Sequence, residues 1–121
     1  YNKNVIEKRS ISRFQVPIRV GYRRPSGADV IQVWTKDISM KGIRLVTSEA
    51  LKEDEILEFL FFFPDRPIYE AVGKVVWRRA IEDKFETGFY FINIKDALKE
   101  ENFDYVSRYF PQEIQKYWWN L

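Results

Sequence analysis

The chain is 121 residues long, enough for one hydrophobic core and not for two. It is 45% hydrophobic and 17% aromatic with a net charge of +2, which excludes a disordered chain. Neither cysteine nor histidine occurs, so disulfides, Cys/His zinc sites, Ser-His-Asp triads and Cys-His dyads are all excluded.

The charge is unevenly spread. Residues 1–24 carry seven cations against Glu7 alone, a net +6, while the rest of the chain is −4. A basic end on an acidic body suggests an anionic partner near the N-terminus, although a solvated charge run is the commoner explanation of such a pattern. No secretory signal is recognisable, and no apolar run is long enough to span a bilayer. With cysteine absent, a reducing, cytoplasmic setting is the expectation. The chain begins at Tyr1 without a methionine and is read as a piece of a longer protein.

Residues 1–14 have weak periodicity and read as an arm. From Gln15, Val16, Ile18, Val20 and Tyr22 alternate with Pro17, Arg19 and Gly21, a half-buried strand whose pairing starts after Pro17. "RPSGAD" is a turn, "VIQVWTK" a second strand, "DISMKG" a loop and "IRLVT" a third strand. "SEALKEDE" is a polar connection. "ILEFLFFF" is the fourth strand, stopped by "PDRP". "YEAVGKVVWRRA" is a long fifth strand in which Gly73 marks a bulge. "EDK" is a tight turn, and "FETGFYFINI" the sixth strand.

After Ile94 the period lengthens. Leu98, Phe103, Val106 and Phe110 predict an amphipathic helix with Asp96 as N-cap, and Pro111 breaks it or starts a second turn. Six strands with hairpin-length connections and a terminal helix predict a mainly β domain: a six-stranded antiparallel barrel over 15–94, one opening capped by the helical segment 95–121. An open α+β sheet is the alternative.

Two groups of residues stand out as candidates for binding. Arg9 and Arg13 lie four apart in the arm, with Lys8 beside them. Asp37, Ser39 and Gly42 lie in the loop after the second strand, as "DISMKG". Taken singly, each is explained by structure: a basic segment, and a turn in which Asp37 and Ser39 bond their own backbone and Gly42 supplies a positive φ. Their order is more specific. An R-x-x-x-R arm, two strands and then D-x-S-x-x-G resemble the PilZ family of cyclic di-GMP receptors. "GKVVW" and "ETGFYF", with Val75, Trp77, Gly88 and Phe91, resemble that family's late strands, so the resemblance runs from residue 7 to about 94.

The resemblance implies a split barrel that binds cyclic di-GMP and has no enzymatic activity, metal or cofactor. Arg9 and Arg13 would fork onto phosphate and onto the O6/N7 edge of guanine, each bidentate contact being worth about 1–3 kcal/mol of discrimination. Asp37 and Ser39 would meet the guanine's donors and ring nitrogens, Gly42 would let the loop turn or its backbone approach, and Lys8 would bear on ligand stoichiometry. The partners expected are the dinucleotide and a protein or preceding N-terminal domain, with motility, biofilm or exopolysaccharide control as outputs. DNA is not expected. Arg44 ranks below these residues, Arg78 and Arg79 read as a solvated strand end, and Trp77, Phe59, Phe61 and Phe89 are expected in the core. Trp118 and Trp119 divide evenly between packing and a partner-facing patch. The competing readings are a single-stranded nucleic-acid binder, a protein-interaction module of the same fold, and an enzyme built on Ser39 and Lys41, the last being the weakest.

Overall fold

The computed structural model describes residues 13–27 and 29–118, with side chains to 116. Strand-forming segments rich in Val, Ile, Phe and Tyr become β1 (Arg19–Arg23), β2 (Ile31–Ile38), β3 (Gly42–Thr47), β4 (Ile56–Phe62), β5 (Tyr69–Ile81) and β6 (Lys84–Ile94). They close into a barrel in the order β1-β2-β3-β6-β5-β4, every neighbouring pair antiparallel. Closure leaves no long sheet edge, the physical advantage of a barrel for strands this apolar. Two helices follow, α1 (Asp96–Tyr109) and α2 (Pro111–Trp118).

Alternation sorts the side chains. Val20 and Tyr22, Ile43 and Leu45, Leu57, Phe59 and Phe61, Val75, and Phe89 and Phe91 all point inward and are buried. Phe59 sits edge-on to Phe89 at 5.0 Å between ring centres and to Phe91 at 6.4 Å. Leu51 is fully buried too, although its connection "SEALKEDE" reads as polar.

The chain enters the barrel irregularly. Phe14 forms an isolated bridge with Ile38, and ladder pairing begins at Arg19, beyond Pro17. Val16 and Ile18 are nonetheless buried, and the buried Thr35 hydroxyl compensates their backbone. It accepts from the Ile18 N–H at 2.8 Å and donates to the Val16 carbonyl at 2.7 Å.

The helix α1 differs from expectation in two details. Its N-cap is Lys95, without a side-chain cap, and Asp96 sits one residue later, in the first turn. Phe103 is 54% exposed rather than buried, whereas Leu98, Glu101, Asn102 and Val106 face the barrel. The spacing explains it. Steps of three and four from Leu98 lead to 101, 102 and 105, whereas a step of five turns Phe103 off that face. Glu101 is held by the Tyr69 hydroxyl at 3.1 Å and by Arg66 at 3.4 Å, and Tyr105 packs on Phe63 at the barrel mouth.

Candidate functional site

Three β-bulges shape the outer face of β2, β3, β6 and β5. Between Thr35 and Asp37 the register with β3 slips, so two β2 residues, Lys36 and Asp37, lie on the outer face between inward Thr35 and Ile38. A second slip between Val75 and Trp77 turns both Val76 and Trp77 outward. The slip at Gly73 has its extra residue on β6, where Ile92 is exposed.

Asp37 is the centre of the site. Its side chain is 1% exposed, and a carboxylate so deeply placed must be paired. Arg13 donates from Nη1 to Oδ1 at 2.8 Å, and Arg44, Asp37's partner across the β2–β3 ladder, donates from Nη2 to Oδ2. The Phe14–Ile38 bridge, closed by N–H···O bonds of 2.8 and 3.0 Å, brings the end of the arm beside this loop. Arg9 and Lys8 lie outside the described residues.

A second buried carboxylate stands behind the first. Glu86 on β6 has no exposed surface and accepts from Lys36, from Arg44 Nη1 at 3.2 Å and from Arg79 Nη2 at 2.9 Å. The Lys36 ammonium, with Arg44 and Arg79 adding to it, holds the Glu86 carboxyl below the usual carboxylate range against the opposing effect of burial. Four cations, Arg13, Lys36, Arg44 and Arg79, therefore surround two carboxylates, and the cluster carries a net +2.

The turn itself is built by Ser39. Its Oγ accepts from the Lys41 and Gly42 N–H groups at 3.2 and 3.1 Å, and its own N–H donates to the Gly42 carbonyl at 2.9 Å. Asp37 does not bond its own backbone as a turn residue would; its oxygens go to the two arginines. Gly42 does not supply a positive φ either, since no glycine among the described residues has one. It is required by proximity: a Cβ there would run into the carbonyl oxygen of Phe89 on β6.

Trp77 is 39% exposed and outside the core, unlike Phe59, Phe61 and Phe89. Its indole lies across Gly88, where any Cβ would strike Nε1 and Cε2 of the ring. Gly88 in turn pairs with Arg44, so an aromatic plate adjoins the charged cluster. Periodicity placed Trp77 inside because a strict alternation from Val75 has no room for a bulge. The readable signal was Gly88, a bare position in an otherwise bulky strand. Arg79 is likewise no free strand end, because Glu86 anchors it, while Arg78 reaches the Leu51 carbonyl at 2.5 Å.

Chemically, the face offers guanidinium forks for phosphate or a purine edge, a buried carboxylate for N–H donors and a flat apolar surface. Among the described residues Ser39 Oγ bonds only backbone groups of its own turn. No group of three acidic side chains among the described residues is spaced to hold a metal ion, and no described helix is long and apolar enough to cross a membrane.

The PilZ domain family model matches residues 7–108. No curated protein matches the chain by sequence. Among solved structures, the Bacillus subtilis inhibitor of motility MotI/DgrA is similar, with a TM-score of 0.68 and 17% identity over 83% of this chain. The match covers 50% of the Bacillus protein, so the chain spans about half of that protein's length. The PilZ domain of YcgR from Escherichia coli, solved with c-di-GMP, has a TM-score of 0.59 and 13% identity, covering 78% of this chain and 85% of its own. The PilZ domain of CeSA from a cellulose-synthesizing bacterium gives 0.55 and 19%, covering 84% and 97%.

Proposed function

The chain belongs to the PilZ domain family, and from that premise we propose that it is a receptor for cyclic di-GMP. The observation that carries this reading is the meeting of arm and loop: Arg13 lies 2.8 Å from Asp37, on a face with a net surplus of two positive charges. A cyclic dinucleotide has two phosphates to balance that surplus and two guanines whose N–H groups suit a buried carboxylate. The c-di-GMP complex of the YcgR PilZ domain supports the choice of ligand.

Arg9 and Arg13 then grip phosphate and the guanine O6/N7 edge, Asp37 accepts from guanine, and Lys8 adds charge at the arm. Ser39 and Gly42 act by shaping the turn that presents Asp37. The arm (1–14) orders over the barrel (15–94) on binding, and the helical segment (95–121) stays with the barrel. The changed surface signals, inside the cytoplasm, to a protein partner or a neighbouring domain in motility or exopolysaccharide control. The similarity to an inhibitor of motility and to a cellulose-related PilZ domain supports that pair of outputs.

Calorimetric titration of cyclic di-GMP into the wild type and Arg13→Ala is the test. Binding by the wild type and a loss of roughly tenfold or more in Arg13→Ala is expected, the size of one forked contact. No heat with the wild type ends the receptor reading. An oligonucleotide that displaces the dinucleotide would favour a single-stranded nucleic-acid binder instead.

A further inference from the structure

The geometry points to Arg44 as the positioning residue of this site: anchored on Glu86, it holds the Asp37 carboxylate in place and correctly turned when Arg13 leaves for the ligand. The inference rests on the receptor reading and goes further, because it names what decides which base the site accepts.

Asp37 has two cationic partners of different kinds. Arg13 sits at the end of the arm and is the group that the proposed ligand takes over. Arg44 is on β3, inside the barrel wall, paired in register with both Asp37 and Gly88. Its guanidinium spans two carboxylates on different strands, Nη2 on Asp37 Oδ2 and Nη1 on Glu86 Oε1 at 3.2 Å. Glu86 is itself held by Lys36 and Arg79, so the arginine is tied from behind by a second ion group. A carboxylate 1% exposed is costly without a counter-ion. If Arg13 were its only cation, the ligand would have to strip Asp37 in order to bind. With Arg44 in place, Oδ2 stays neutralised and Oδ1 is freed, its lone pairs available to two donors.

Guanine presents two adjacent donors, N1–H and the N2 amino group, whereas adenine has neither at those positions. A fixed carboxylate therefore distinguishes the two, and a loose one does so poorly. Lysine cannot take over the arrangement, because one ammonium cannot fork across Asp37 and Glu86 as a guanidinium does.

Calorimetry with the wild type, Arg44→Gln, Arg44→Lys and Glu86→Gln, each titrated with cyclic di-GMP and with cyclic di-AMP, tests this, alongside thermal unfolding of each. Arg44→Gln is expected to lose roughly tenfold or more for the guanine ligand, with little change for the adenine one, so that the preference collapses. Arg44→Lys is expected to fold and to lose much of the preference, and Glu86→Gln to shift it in the same direction by less. A purely structural role would lower the unfolding temperature and leave the ratio of affinities as it was. Folded Arg44→Gln or Arg44→Lys with wild-type discrimination overturns the assignment while the receptor reading stands. A wild type that binds neither dinucleotide overturns both.

Discussion

The two sides of the barrel are built by different rules. Along β1 and β4 the register runs unbroken from Arg19↔Phe62 to Arg23↔Glu58, and on β4 buried residues alternate with exposed or half-buried ones. Its ion pairs, Arg23 with Glu58 and Glu70, lie at the surface, the Glu70 side chain 70% exposed. Along β2, β3, β6 and β5 the ladder slips, three bulges turn successive residues to the same face, and the carboxylates are buried. The first side is a wall whose charges are worth little. The second concentrates buried charge and close backbone contact. That contrast is the one on which the proposed receptor reading rests.

The sharpest way to break the contrast is at its closest backbone contact. Gly42→Ala drives a methyl group into the Phe89 carbonyl, so β3 and β6 must separate. A loss of about 3 kcal/mol in urea unfolding is expected, together with ligand binding. Gly27→Ala, whose Cβ would meet only Arg24 at 3.6 and 3.7 Å, is the control and is expected to be close to neutral. Equal effects at the two positions would remove the distinction drawn for Gly42.

The two sides should also fail at opposite ends of the pH scale. Glu86 is held below its ordinary 4.5, so its contribution is complete above that value and disappears as pH falls through the lowered one. Tyr22 on β1 is pushed up from 10 by burial and by donating to Glu49 at 2.6 Å. Its contribution is complete below pH 10 and is lost at higher pH, where the unfolded chain ionises first. Urea midpoints measured across pH are expected to lose part of their acid slope in Glu86→Gln and part of their alkaline slope in Tyr22→Phe. Unchanged profiles in both variants would show that neither group is coupled to folding.

The smallest effect is expected on the plain side. Glu58→Gln removes the negative charge on the acceptor 2.7 Å from Arg23 Nε, yet both partners are about one-third exposed. Little change in the urea midpoint is expected, with dinucleotide affinity unaltered. A larger loss, or weaker binding, would show that the two sides are not independent.

Six strands and a C-terminal helix were readable in the order of apolar residues because alternation and helical spacing are local properties of a chain. The position of Pro17 announced where pairing begins, and the two arm-and-loop motifs marked where Arg13 and Asp37 would be found. Local patterns stop at the bulges. Neither the outward turn of Trp77 nor the placement of Asp37 can be read along the strands, because each depends on where a strand slips by one residue, and the burial of Glu86 depends on cations brought to it from other strands. Phe103 misled for a related reason, since a five-residue step satisfies a count of apolar residues without keeping to one helix face. Residue order alone therefore determined the barrel, its closing helix and the candidate loop. Only tertiary structure decided that Arg44 spans two carboxylates and that Gly42 and Gly88 are bare because a carbonyl and an indole lie against them. Such contacts join residues far apart in the chain, 42 positions between Arg44 and Glu86, and no local periodicity reports them.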